Sequence, residues 1–267
     1  PIFFICYRDS YPYIVLWNLL NILFLLKNNV KDFIVVLHDD ENKYPKFNED
    51  LTLFLKKYFK IKVIKLNYKK DLLIKSETLL FSNIVKSIPV YSDDPKCDFF
   101  LHPKEYYTDL PEMVIKNKYL KKYFSNPRND VILISRKDSR IINNENEIIK
   151  KFPYIKLVQP EKLKLEEEIS LIYNSKIVIG TYGAALINVL FARPNTTYVR
   201  LIVNKTDKND FKNDLYKEVS MFEAIAATKK MRIVNMNVGS LYGHSSQQGS
   251  YFNIDIKKFS QLLERIT

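Results

Sequence analysis

The sequence predicts an α/β protein made of two successive lobes, each with a parallel sheet, and a ligand cleft between them. Three observations predict this. Short, wholly apolar runs recur along the chain; stretches of helical length separate them; and one polar, turn-forming break falls near the middle. Runs apolar on both faces suit strands covered on both sides, and intervening helices force those strands to pair in parallel.

In the first lobe, Ile2 to Cys6 is an apolar, aromatic-rich strand and Ile14 to Lys27 a helix. Phe33 to Leu37 is a second strand, ending in the polar turn His38-Asp39-Asp40. Leu51 to Phe59 reads as an amphipathic helix and Ile61 to Leu66 as a third strand. Val90 to Pro103, rich in Pro, Asp and Ser, is a loop; Glu105 to Phe124 is a helix broken near Pro111. The run Ser125-Asn126-Pro127-Arg128-Asn129-Asp130 is turn chemistry, so the lobes are expected at 1–128 and 129–267.

The second lobe restarts the rhythm with strand Val131–Ile134. Asn144 can cap a helix over Glu145 to Phe152, with Glu147 completing a capping-box pattern. Strand Ile155–Val158, helix Leu165–Tyr173 and strand Lys176–Ile179 follow. Gly180 to Phe191 is a turn and helix, Thr197 to Val203 a strand, and Tyr216 to Ala227 a helix. Met231–Asn235 is the last strand and Ile256–Ile266 the closing helix. Ligands of such folds sit outside the carboxyl ends of the strands.

Composition narrows the classes. The 267 residues are 46% hydrophobic and 27% charged, which excludes disorder, and only five glycines exclude collagen-like and loop-dominated chains. The net charge of +12 would help hold anionic partners, but the lysines are scattered, with no aromatic-studded basic motif, so nucleic acid is not the expected partner. Cys6 and Cys97 cannot build a disulfide framework or a four-thiolate zinc site, and they fit a reducing compartment. His38, His102 and His244 are too dispersed for a metal set, so no metal is expected. The apolar stretch Ile14–Leu26 is too short to span a bilayer and carries Asn18 and Asn21; a buried helix is expected there.

Three constellations could carry chemistry. Ser135-Arg136-Lys137-Asp138-Ser139-Arg140 follows a strand, at the mouth of a parallel sheet, where Arg136 and Arg140 could grip a pyrophosphate through forked, charge-assisted hydrogen bonds. The same run would also serve as a solvated basic loop. Gly180-Thr181-Tyr182-Gly183-Ala184-Ala185 is a small-residue turn before an apolar run, which lets backbone amides approach a phosphate; close helix–strand packing explains it equally. Glu166-Glu167-Glu168 favours a helix dipole, and one of them could accept ribose hydroxyls.

Order, spacing and residue type of these pieces resemble glycosyltransferase family 61. Arg136, Arg140, Asn144, Glu145, Glu161, Glu167, Gly180, Gly183, Ala184, Leu186, Asn188 and Pro194 stand where that family's motif residues stand, over roughly Asn129 to Leu201. Upstream the likeness is weaker, at Tyr13–Leu23 and His102–Tyr107. The resemblance implies a GT-B-like pair of Rossmann-like lobes and inverting transfer of a sugar from a UDP donor to a glycan or glycoprotein acceptor. It implies a donor site formed by Ser135, Arg136, Arg140, Glu167, Gly180, Thr181, Tyr182, Gly183, Ala184 and Asn188, with no metal required. The sequence departs from the family where Tyr182 replaces a motif His and Ala185 a Gly, and where Val15 and Asn18 stand near a first-lobe His and Asp. Tyr is a poor general base at neutral pH, which leaves Asp9, His38 and Asp39, at the ends of the first two strands, as candidates for the acceptor's proton. The same departures suit a second possibility, a lobe pair that has lost catalysis and serves as a binding or assembly module.

Overall fold

The structure, a computed structural model, describes residues 2–5, 11–30, 32–38, 45–66, 79–80, 104–124, 130–137, 140–181, 189–204, 225–240, 242 and 250–267. The chain divides into two compact units, one of Pro1–Ser125 with Lys164–Glu166, the other of Asn126–Leu163 with Glu167–Thr267.

The first unit holds a parallel sheet of β1 (Ile2–Ile5), β2 (Ile34–His38), β3 (Lys62–Leu66) and β4 (Leu79–Leu80), in the order β3-β2-β1-β4. Helix α1 (Tyr11–Lys27) is indeed a core helix, with Leu19, Leu20, Ile22 and Leu23 fully buried. No helix among the described residues is long and apolar enough to cross a membrane. Helix α2 starts earlier than its apolar pattern, at Pro45, because a first-turn proline has no helical N–H to lose. It runs to Phe54 and widens into a π-helical turn, Leu55–Phe59, closed by Lys60 at φ 60°. Helix α3 (Lys104–Ile115) accommodates Pro111 but ends well before Phe124. Asn117 explains the stop: its side chain donates to Tyr58 O (3.0 Å) and accepts from Tyr119 N (3.0 Å), replacing helical bonds with a turn.

The second unit is built on a five-stranded parallel sheet. Its strands are β5 (Asp130–Ile134), β7 (Ile155–Val158), β8 (Ser175–Thr181), β9 (Thr197–Asn204) and β10 (Arg232–Ser240), in the order β10-β9-β8-β5-β7. One face of this sheet is a continuous apolar core. Val131, Leu133, Ile177, Ile179, Val199, Leu201 and Met236 cluster with Ile148 and Phe152 of α4 (Glu145–Lys151) and with Phe259 and Leu263 of α6 (Ile256–Ile266). Alternation sends Ile132, Ile134, Val178 and Tyr198 to the opposite face, and they are buried as well. Two strands too short to show a sequence pattern form a further pair in the unit: β6 (Ile141–Ile142) runs parallel to β11 (Tyr251–Phe252).

The expected capping box at Asn144 does not form. Asn144 occupies the N-cap position of α4, yet its side chain makes no cap hydrogen bond. It is turned to the backbone of Ile254 instead, donating to the carbonyl and accepting from the amide, both at 2.9 Å. Two backbone groups satisfied at once outweigh one helix-end donor. The expected turn and helix over Gly180–Phe191 does not start at Gly180, which with Thr181 extends strand β8; the stretch ends in a 3₁₀ turn at 189–191, and residues 182–188, like most of the expected helix Tyr216–Ala227, lie outside the described residues.

Candidate active site

The chain order of the second sheet decides where a ligand belongs. From β5 the chain adds β7 on one side, then crosses to place β8, β9 and β10 on the other. Connections therefore diverge between β5 and β8, and the crevice at the carboxyl ends of those strands is the binding position of an open parallel sheet. Ser135 and Arg136 leave β5 at that edge, while Gly180 and Thr181 end β8.

The two sheet faces carry different chemistry there. On the face opposite the apolar core, the Tyr198 hydroxyl donates to Gly180 O at 2.9 Å. Burial pushes this hydroxyl well above its ordinary value, while the positive charges of Arg200 and Arg136 draw it partly back. Arg200 lies opposite Gly180 in the β8–β9 register, only 9% exposed, and its Nε donates to Asn235 Oδ1 at 2.8 Å. A cation in the middle of a central strand is costly to bury. This one adds to Arg136 a second positive group at the mouth of the sheet.

On the core face, Ser135 is buried and its amide donates to Val158 O at 2.8 Å. Its hydroxyl is hydrogen-bonded to Glu145 at the start of α4. Burial pushes the Glu145 carboxyl up, the Ser135 hydrogen bond lowers it in part, and the charge of Glu161 raises it. Glu145 Oε1 and Thr181 Oγ1 are buried without a hydrogen-bond partner among the described residues.

Arg140 is held in a left-handed conformation, φ 55°, which a side chain bearing Cβ adopts only at a cost. Its amide donates to Ser250 Oγ and the next amide, Ile141, to Ser250 O, each at 2.9 Å. Glu167 lies exposed on the first turn of α5 (Leu165–Asn174). Its neighbour Glu166 is committed elsewhere, accepting from the Tyr58 hydroxyl at 2.9 Å and from Lys57 at 3.3 Å within the first unit. Burial pushes the Glu166 carboxyl up, but its hydrogen bonds outweigh that and hold it below the ordinary range.

Among the sequence candidates, the structure brings Ser135, Arg136, Gly180 and Thr181 to one sheet edge. His38 ends β2, and Asp9, Asp39, Tyr182, Gly183, Ala184 and Asn188 lie outside the described residues. The sequence reading passed over Arg200 and Tyr198. A lone arginine inside the apolar run Thr197-Tyr198-Val199-Arg200-Leu201-Ile202-Val203 was the available signal. Among the described residues no group of three His, Cys, Asp or Glu could hold a metal.

A family model described as Glycosyltransferase 61 matches residues 18–199, more than half of the chain. The chain belongs to glycosyltransferase family 61. That match runs from α1 into β9 and includes the Arg136 turn and the end of β8. Membership of family 61 makes a sugar donor and a glycan acceptor the relevant ligands, on an α/β framework with parallel sheets. No curated protein matches the chain.

Proposed function

We propose that this family 61 chain is an inverting transferase that moves a sugar from a UDP-sugar to a glycan or glycoprotein acceptor. The observation that carries the proposal is the placement of two arginines at the switch point of the second sheet: Arg136 where the chain leaves β5, and Arg200 opposite Gly180 in the β8–β9 register. In such a reaction the acceptor oxygen attacks the anomeric carbon from the face opposite the diphosphate. The bond to the β-phosphate oxygen breaks, and UDP leaves with added negative charge. Preplaced guanidinium groups stabilise that charge as it develops. Arg136 and Arg200, joined by Arg140, supply it without a metal. Gly180 to Ala184 and Asn188 are further candidates for donor binding, and Glu167 is the candidate hydroxyl acceptor. Asp9, His38 and Asp39 are the candidates for the base that takes the acceptor's proton.

Incubation with a panel of UDP-sugars and glycan acceptors, with the product's anomeric configuration read by NMR, tests the proposal. A product of inverted configuration, lost in Arg136→Ala, is expected. Retained configuration would refute the mechanism. Tight UDP binding without transfer to any acceptor would favour the binding module that the Tyr182 and Ala185 substitutions suit.

A further inference from the structure

Two buried side-chain oxygens near the ends of β5 and β8, Thr181 Oγ1 and Glu145 Oε1, have no hydrogen-bond partner among the described residues. We propose that Glu145 and Thr181 bind a vicinal diol of the sugar nucleotide, on the core side of the β5 and β8 ends. The diol is that of the ribose or that of the transferred sugar, which offer the same chemistry. This rests on the reading of the second unit as a UDP-sugar site.

Both groups stand where the core face of the sheet meets its carboxyl ends. Leu133 of β5 pairs with Ile179 of β8, and Ser135 and Thr181 each follow two residues later, on the face that carries the apolar core. Ser135 is buried and Thr181 is only 6% exposed. Glu145 opens α4, and its carboxyl takes a hydrogen bond from the Ser135 hydroxyl. Buried polar atoms in folded proteins are nearly always paired, because an unpaired one destabilises the fold. Two exceptions flanking Ser135, beside the Arg136 turn, mark groups kept for a partner from outside. Their chemistry selects that partner. A carboxylate oxygen only accepts, whereas a threonine hydroxyl both donates and accepts. A diol meets both needs, one hydroxyl donating to Glu145 Oε1 and its neighbour bonding Thr181 Oγ1. A phosphate oxygen would meet a like charge at Glu145. Burial and the charge of Glu161 already work against the Glu145 anion, and a hydroxyl donor relieves it. Arg200, on the opposite face with Gly180, suits the diphosphate instead.

The test titrates UDP, 2′-deoxy-UDP, 3′-deoxy-UDP, UDP-glucose, UDP-N-acetylglucosamine and UDP-xylose into the full chain and its variants. If the diol is the ribose's, the wild type should bind one deoxy analogue about tenfold more weakly than UDP, and Glu145→Met should bind the two alike. If it is the transferred sugar's, the wild type should bind at least one UDP-sugar about tenfold more tightly than UDP, and Glu145→Met should lose that margin. Glu145→Gln keeps a neutral acceptor, so it should retain part of the discrimination, and it serves if the methionine variant does not fold. Thr181→Val keeps the shape and removes an unpaired hydroxyl, so it should weaken the same ligand severalfold while the free protein melts no lower. Ligand ratios unchanged in both the Glu145 and Thr181 variants would overturn the inference and leave the donor site standing. So would ratios lost in a variant of the exposed Glu167, Glu167→Gln, but kept in Glu145→Met, or a marked drop in melting temperature for Thr181→Val. Absence of binding by UDP and every UDP-sugar to the wild-type protein would instead sink the donor site and this inference with it.

Discussion

Arg140 offers a direct test of whether strain is stored in the arginine turn. Its φ of 55° is one that a residue with Cβ reaches at a cost of about 1–2 kcal/mol. Arg140→Ala and Arg140→Gly both remove the guanidinium, so their difference isolates the backbone term. Glycine relieves the strain but returns roughly 0.5–1 kcal/mol through its more flexible unfolded chain. The glycine variant should therefore be the more stable by about 0.5–1 kcal/mol. For a chain of this size that is an increase in melting temperature of roughly 1–4 °C. The sole tryptophan, Trp17, lies in the first unit, so tryptophan fluorescence would miss the transition. Scanning calorimetry with far-UV circular dichroism reads it. Both variants should lose UDP affinity to the same extent. An alanine variant at least as stable as the glycine variant would refute the stored strain.

Three further outcomes follow from the site. Burial raises the Glu145 carboxyl above 4.5 in the folded protein, so the folded state holds that proton more tightly than the unfolded chain. Stability should fall as pH rises from 4.5 through the raised value, then level off; Glu145→Gln should flatten that part of the profile in urea titrations. A Cβ at Gly180 would sit 3.4 Å from Ile134 Cβ and 3.5 Å from the Tyr198 hydroxyl, ordinary contact distances. Gly180→Ala should thus change stability by less than about 1 kcal/mol, and a loss above roughly 2 kcal/mol would show that the sheet edge is tighter than described. Tyr198→Phe strips the buried Gly180 carbonyl of its donor and should cost about 1–3 kcal/mol by chemical denaturation; a negligible change would mean that the bond contributes nothing.

The central strands were legible because burial on both faces writes them as unbroken apolar runs. Ile2–Ile5, Ile34–His38 and Ile155–Val158 fall within a residue of their sequence limits. Helix α6 matched fully, since Asp255 caps it through Lys257 N and Lys258 N and its apolar stripe meets the core at Phe259 and Leu263. Ends set by distant partners were not legible. Asn117 stops α3 by bonding Tyr58, and Asn144 abandons its cap for Ile254, 110 residues away; neither partner can be read from local pattern. The site divides in the same way. Arg136 and Gly180 stand in motifs at strand ends, where sequence reading looks first. Arg200 stands within a strand, and only the β8–β9 register shows that it faces Gly180. Ser250 meets the arginine turn from 110 positions further along the chain, which no local pattern shows.

Calorimetric titration of UDP and uridine into the wild-type chain, Arg136→Ala and Arg200→Met tests the donor site most directly. Micromolar UDP binding, far weaker uridine binding, and a loss of about tenfold or more in each variant are expected, because each variant removes a charge-assisted contact to the diphosphate. UDP binding that survives both substitutions in folded protein, or no UDP binding by the wild type, would contradict a donor site at the mouth of β5, β8 and β9.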